Sequence, residues 1–224
     1  MESQLVNYEM CGTITEDFFK QQCLAWKCLD PSIFERRDAF RVISFDLLPE
    51  GTQQSGLRMM VEICGDSNTD NMHNGLNDYS NINENLTLDR STIFTGFDGT
   101  ARFMGVIDWI MHDVYQIPTP YISLSNSDGQ SVPMKDTERL IRGLCDDTET
   151  TSRIPWSVEE HPLTGSLCFS ISTCEVPKKM NLMMRDRQTT NKTYLLQLVS
   201  MIGPALGLRL SPRAFKLTEE DLLR

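Results

Sequence analysis

Side chains able to hold a metal, move a proton or attack a carbonyl stand at only a few suggestive spacings in this sequence. Asp66-Ser67-Asn68-Thr69-Asp70 sets oxygen ligands at alternate positions, as a calcium loop does. Its sixth position is Asn71 where the sharp turn needs Gly, and its twelfth is Asn77 where a bidentate Glu is needed, so it reads as a polar loop. Asp108 and His112 stand one helical turn apart and could share a metal or a proton, but two ligands do not complete a site. His73 and His161 fall in loop sequence with no carboxylate at a matching spacing. The seven cysteines (Cys11, Cys23, Cys28, Cys64, Cys145, Cys168, Cys174) are odd in number and include no C-x-x-C pair. With no apolar signal stretch after Met1, they point to free thiols in a reducing compartment.

The string Thr92-Ile93-Phe94-Thr95-Gly96-Phe97-Asp98-Gly99-Thr100 resembles the D-x-D-G-T loop of haloacid-dehalogenase-type phosphatases. In that loop the first aspartate attacks phosphorus and the second serves as acid and base. Gly96 takes the first position here, so the carboxylate that would form the phospho-aspartate is missing and that covalent route cannot run. Asp98 is explained more simply as a helix N-cap. No G-x-S-x-G, Walker-type glycine loop or zinc-ligand set occurs. The expectation is a chain that is not an enzyme, with no catalytic residue, no metal and no cofactor.

Charge is the stronger signal. The formal charge of the 224 residues is -10, yet it is unevenly placed. Residues 1–176 hold 12 Lys and Arg against 27 Asp and Glu, whereas residues 177–216 hold 8 against 1. A basic link over 177–192 carries Lys178, Lys179, Arg185, Arg187 and Lys192 among Met180, Leu182, Met183 and Met184. Cations beside flexible apolar side chains suit an anionic membrane surface or a phosphate backbone, and they also suit a solvated loop whose methionines tuck inward.

The elements expected to position these residues make a single α+β domain over 1–224. It is mainly an antiparallel sheet, packed by a central amphipathic helix and a C-terminal helix. The central helix is expected over 98–116, where Phe103, Val106, Ile107, Ile110, Met111 and Val114 repeat at helical spacing and Pro118 ends the run. Trp109 falls on its polar face, either covered by a loop or offered as a partner contact. Thr13-Ile14-Thr15-Glu16 has capping-box form ahead of a first helix, and Asp30-Pro31 opens a short second one through Arg36. Alternation predicts two antiparallel strands around 40–47 and 57–63, a short strand over 121–124 and a clear one over 167–172. Further helices are expected over 137–145 and 190–202, then a strand over 205–210 and a short helix capped by Thr218. The Asn-rich stretch over about 65–90 reads as a long mobile loop.

The order of elements resembles the matrix proteins of rhabdoviruses. The resemblance rests on a long helix after two strands, then Ile154-Pro155-Trp156, then Gly165-Ser166-Leu167-Cys168-Phe169-Ser170-Ile171. It continues through Met201-Ile202-Gly203 to Gly207-Leu208-Arg209-Leu210. It implies a self-associating structural protein of the virion, cytoplasmic and peripheral at the inner membrane face. Such a protein bridges anionic membrane and ribonucleoprotein during assembly and budding, through Lys178, Lys179, Arg185, Arg187 and Lys192. Host proteins are further candidate partners. The alternative is a cytosolic protein–protein adaptor without catalysis, which would recognise another protein through Trp109 and the acidic surface.

Overall fold

In the computed structural model, which describes residues 12–37, 39–49, 55–66, 100–144, 156–172, 174–187 and 193–217, the alternating runs pair as predicted. Phe40–Leu47 (β1) and Gly56–Asp66 (β2) are antiparallel. A register shift between Val42 and Ser44 turns the strand over, so Phe40 and Val42 face the core before it and Phe45 after it. The stretch expected as the central helix is instead strand β3, Thr100–His112, laid along β2 and followed by β4, Ile117–Asn126.

The physical reason is that apolar residues stand on both faces of β3, with Met104, Val106 and Ile110 beside Arg102, Asp108 and His112 on the face away from the core. Phe103, Gly105, Ile107, Trp109 and Met111 repeat every two residues and are all buried, while Ile110 on the other face is buried too. A strand with apolar residues on both sides mimics helical spacing, and only its β-branched and aromatic content separates the two readings. Gly105 makes the strand fit: a Cβ there would meet Val61 Cγ2 at 2.5 Å and Leu124 Cδ2 at 2.9 Å, from its cross-strand neighbours on either side. Val61 is β-branched and buried, so Gly105→Ala is expected to cost about 1–3 kcal/mol by overpacking, measurable as a lower urea midpoint at unchanged slope.

Trp156–Glu160 (β5) and Leu167–Ile171 (β6) complete an α+β domain whose six-stranded antiparallel sheet has the order β1-β2-β3-β4-β6-β5. The ladder from β4 to β6 is short, running only through Tyr121↔Ser170 and Ile122↔Phe169. Pro118 and Pro120 explain the stop at one end, because neither has an N–H to give a partner strand, and at the other end the Leu124 carbonyl accepts the Val132 amide at 2.9 Å instead.

Four α-helices stand among the described residues: Glu16–Lys27 (α1), Met134–Leu144 (α2), Val176–Arg187 (α3) and Tyr194–Ile202 (α4). Their buried side chains join one face of the sheet in a single apolar core, in which Trp26 of α1 meets Phe45 edge-on, and Phe19 of α1 and Leu195, Leu198 and Val199 of α4 are fully covered. α1 begins two residues later than a capping box from Thr13 would place it, with Thr15 as N-cap accepting from the Phe18 amide at 3.4 Å. The short second helix is a 3-10 turn over Pro31–Ile33. After α4 the chain makes a 3-10 turn over Gly203–Leu206, and a left-handed Gly207 follows where a strand was expected. Most of the Asn-rich stretch, the Gly96–Asp98 string and the Thr218 cap lie outside the described residues.

Candidate active site

A row of polar side chains crosses the sheet on the face away from the helices. Cross-strand register sets Asp46 opposite Arg58, Arg58 opposite Asp108, Asp108 opposite Tyr121, Tyr121 opposite Ser170 and Ser170 opposite Ser157, one residue from each strand. Arg58 grips Asp108 with two hydrogen bonds of 2.8 and 2.7 Å, the planar fork geometry that suits a carboxylate. His161, from the turn joining β5 to β6, lies over the same carboxylate with Nε2 3.2 Å from Oδ2. Its Nδ1 accepts the Leu163 amide at 3.2 Å, so the ring hydrogen sits on Nε2 and is donated to Asp108. Burial alone would raise the Asp108 carboxyl, but the hydrogen bonds from Arg58 and His161 outweigh it and hold it below the ordinary carboxylate range. Tyr121 packs on the His161 ring at 5.5 Å, and burial pushes its phenol up to about 12.

This cluster corrects the pairing of Asp108 with His112. On a strand, residues four apart lie roughly 13 Å from one another along the chain, and His112 instead accepts the amides of Val114 and Tyr115 at the β3–β4 turn. The true partner, His161, is distant in sequence. Among the described residues no group of three or more His, Cys, Asp or Glu could hold a metal ion.

What the row fixes is β6, and β6 delivers a cysteine. The strand ends at Ile171, and α3 starts at Val176 with Pro177 in its first turn. Cys174 sits between them, exposed, with its Sγ 3.4 Å from the Ser172 hydroxyl. Cys168, six residues earlier on the same strand, is its opposite: buried, donating its S–H to the Glu159 carbonyl at 3.4 Å, and pushed up to about 11 by burial and the Glu159 charge. A thiol held protonated and covered is a poor nucleophile. One at a strand–helix junction in solvent can reach a carbonyl carbon, and the positive end of α3 would stabilise charge developing beside it.

The other sequence-level candidates fall differently. Trp109 is fully buried on the core face of β3, its indole N–H donated to Met59 Sδ at 3.3 Å, so it presents nothing to a partner. The basic link is a helix through Arg187 rather than a loop, because Val176 and Met180 form a buried stripe one turn apart and the Lys, Arg, Leu and Met around them are good helix formers. Lys178 and Lys179 are exposed on α3, Arg185 and Arg187 fall in its last turn, and Lys192 lies outside the described residues.

Residues 107–213 match the family model described as "Autophagocytosis associated protein, active-site domain". The human "Ubiquitin-like-conjugating enzyme ATG10" is 28% identical over 140 residues, which cover 54% of this chain. The match spans 59% of that relative's length. These findings overturn the rhabdovirus resemblance and the virion and budding role it implied. Its anionic-membrane and ribonucleoprotein partners and its place at the inner membrane face fall with it, as does the expectation of a non-enzyme. The resemblance had rested on a long helix that is in fact β3. The adaptor alternative loses its anchor with the burial of Trp109.

Sequence reasoning counted Cys174 among seven thiols and passed over it. A signal was present: Pro177 is favoured in the first turn of a helix, so Glu175-Val176-Pro177 marks a helix start just after a strong strand and singles out the cysteine at the junction.

Proposed function

We propose that the chain is a ubiquitin-like-conjugating enzyme of the autophagy active-site family and that Cys174 carries the modifier as a thioester. The observation that carries this reading is the position of Cys174, exposed between β6 and α3 within the stretch similar to an active-site domain, where Cys168 is covered. In the loading step the Cys174 sulfur attacks the carbonyl carbon that joins the modifier's C-terminus to a cysteine of an activating enzyme. The new C–S bond forms as the old one breaks, and the leaving thiolate takes up the proton Cys174 gives away. In the transfer step an acceptor amine attacks the same carbon, an amide forms, and the Cys174 sulfur leaves with the proton lost by nitrogen.

The test is to incubate the full chain with ATP, an autophagy activating enzyme and its ubiquitin-like protein. A band heavier by one modifier, removed by reductant in the parent but surviving reductant as an oxyester in Cys174→Ser, is the expected result. A conjugate that ignores Cys174→Ser would sink the assignment.

Lys178 and Lys179 lie in the first turn of α3, four and five residues past Cys174, where the anionic surface they would meet is that of the carried protein. Reversing both to Glu is expected to slow loading roughly ten-fold at low salt, and the deficit should shrink as salt screens it. Equal slowing at high salt would indicate damage to the helix instead.

A further inference from the structure

Resting on the reading of Cys174 as the nucleophile, we propose that residues 12–14 form a brace that positions it, with Gly12 and Tyr194 as positioning residues. Gly12 has φ +67°, and a Cβ built on it would stand 1.9 Å from the Pro177 carbonyl oxygen and 2.7 Å from the Asn181 nitrogen. The backbone of the segment therefore lies directly on the first turns of α3, closer than any side chain allows. The Gly12 carbonyl accepts the buried Tyr194 hydroxyl at 2.9 Å, from the first residue of α4. Two residues on, the Ile14 amide donates to the Gln116 carbonyl at 3.3 Å, and the Ile14 side chain is buried in the core. Gln116 closes the β3–β4 turn in a left-handed conformation with φ 51°.

Three residues thus tie together the start of α3, the start of α4 and the β3–β4 turn. Cys174 stands just ahead of the first of these. Because β6 runs antiparallel to β4, which begins at Ile117, β6 also points its end toward the β3–β4 turn. The brace holds both sides of the junction that bears the thiol. Thiol transfer between two cysteines needs the attacking sulfur in a near-attack position, and a displacement of about 1 Å costs on the order of 10²-fold in rate.

The experiment compares Tyr194→Phe and Gly12→Ala in the full chain, with Gly105→Ala as a variant that loosens the sheet away from the brace. Single-turnover loading is followed against the concentration of modifier-charged activating enzyme. Iodoacetamide labelling of Cys174 is followed by mass spectrometry with the exposed Cys28, on α1, as the internal reference. The expected result is a loading plateau about ten-fold lower in both brace variants at unchanged half-saturation, with Cys174 labelling slowed relative to Cys28, while Gly105→Ala keeps the parent plateau. A parent-like plateau in Tyr194→Phe overturns the brace, and so does an equal fall in Gly105→Ala. Should Gly12→Ala not fold, Tyr194→Phe decides alone. A parent chain that does not load at all would mean that the conjugating-enzyme reading has failed; parent-like loading in Cys174→Ala would mean that the nucleophile, and the brace argued from it, are misassigned; an inactive Cys174→Ala with normal brace variants would mean that only the brace has failed.

Discussion

Cys174→Ala is expected to abolish thioester loading, a fall of about 10³-fold or more, because the sulfur that forms the covalent intermediate is removed. The control is Cys168→Ala. That thiol is buried, pushed up to about 11 and committed to the Glu159 carbonyl, so its loss should leave loading close to the parent's and cost only the small net worth of one weak hydrogen bond, about 0.5–1.5 kcal/mol. Reductant-sensitive gel shifts in single turnover separate the two. If Cys174→Ala loaded like the parent, the nucleophile would lie elsewhere in the matched stretch, and Cys145, outside the described residues, would be the next cysteine to replace.

The largest effect on stability is expected from Asp108→Ala. The carboxylate is 2% exposed and takes two hydrogen bonds from Arg58 and one from His161. Removing it strands a guanidinium and an imidazole N–H against the sheet. Breaking a buried pair in this way costs about 3–5 kcal/mol; the Arg58 side chain is 32% exposed and can recover some hydration, which places the expected loss near the lower figure, about 3 kcal/mol. That is a large part of the 5–15 kcal/mol typical of a domain. The pH dependence has a definite sign. A carboxyl held below its ordinary value contributes stability that is fully present above its unfolded pKa of about 3.9 and is lost as pH falls through the lower folded value. Urea titrations of parent and variant should therefore stay apart above about pH 5 and converge in acid. A difference under about 1 kcal/mol at neutral pH would mean that the row is decorative.

The sequence made the ends of the chain's order legible and misread its middle. β1, β2, β6, α2 and α4 follow from alternation or from apolar residues one turn apart. The face of β3 away from the core mixes Met104, Val106 and Ile110 with Arg102, Asp108 and His112, so apolar residues fall on both faces and the pattern carries no clean period of two that favours strand over helix. That single error displaced Trp109 from the core to a supposed surface and paired Asp108 with the wrong histidine, because both inferences used helical geometry. α3 was misread for the converse reason. Its charges suggested a solvated loop, while the buried Val176 and Met180 that make it a helix are too few to dominate the pattern. The site itself was hidden because its parts come from distant segments: Gly12 and Tyr194 are 182 residues apart, and Asp108 and His161 are 53 apart. Only the cysteine at the strand–helix junction had a local signature.

The two-pair ladder between β4 and β6 divides the sheet mechanically. β1 to β4 form a meander with long continuous ladders, whereas the β5–β6 hairpin is joined to it by two register pairs and the hydrogen bond from His161 to Asp108. Few backbone bonds cross that seam, so the buried Phe169 and Ile171, packed into the core beneath the sheet, hold the hairpin where the ladder does not. A thiol delivered by such a strand owes its position to side-chain packing more than to strand pairing, so trimming Phe169 or Ile171 would shift it while the meander stays paired.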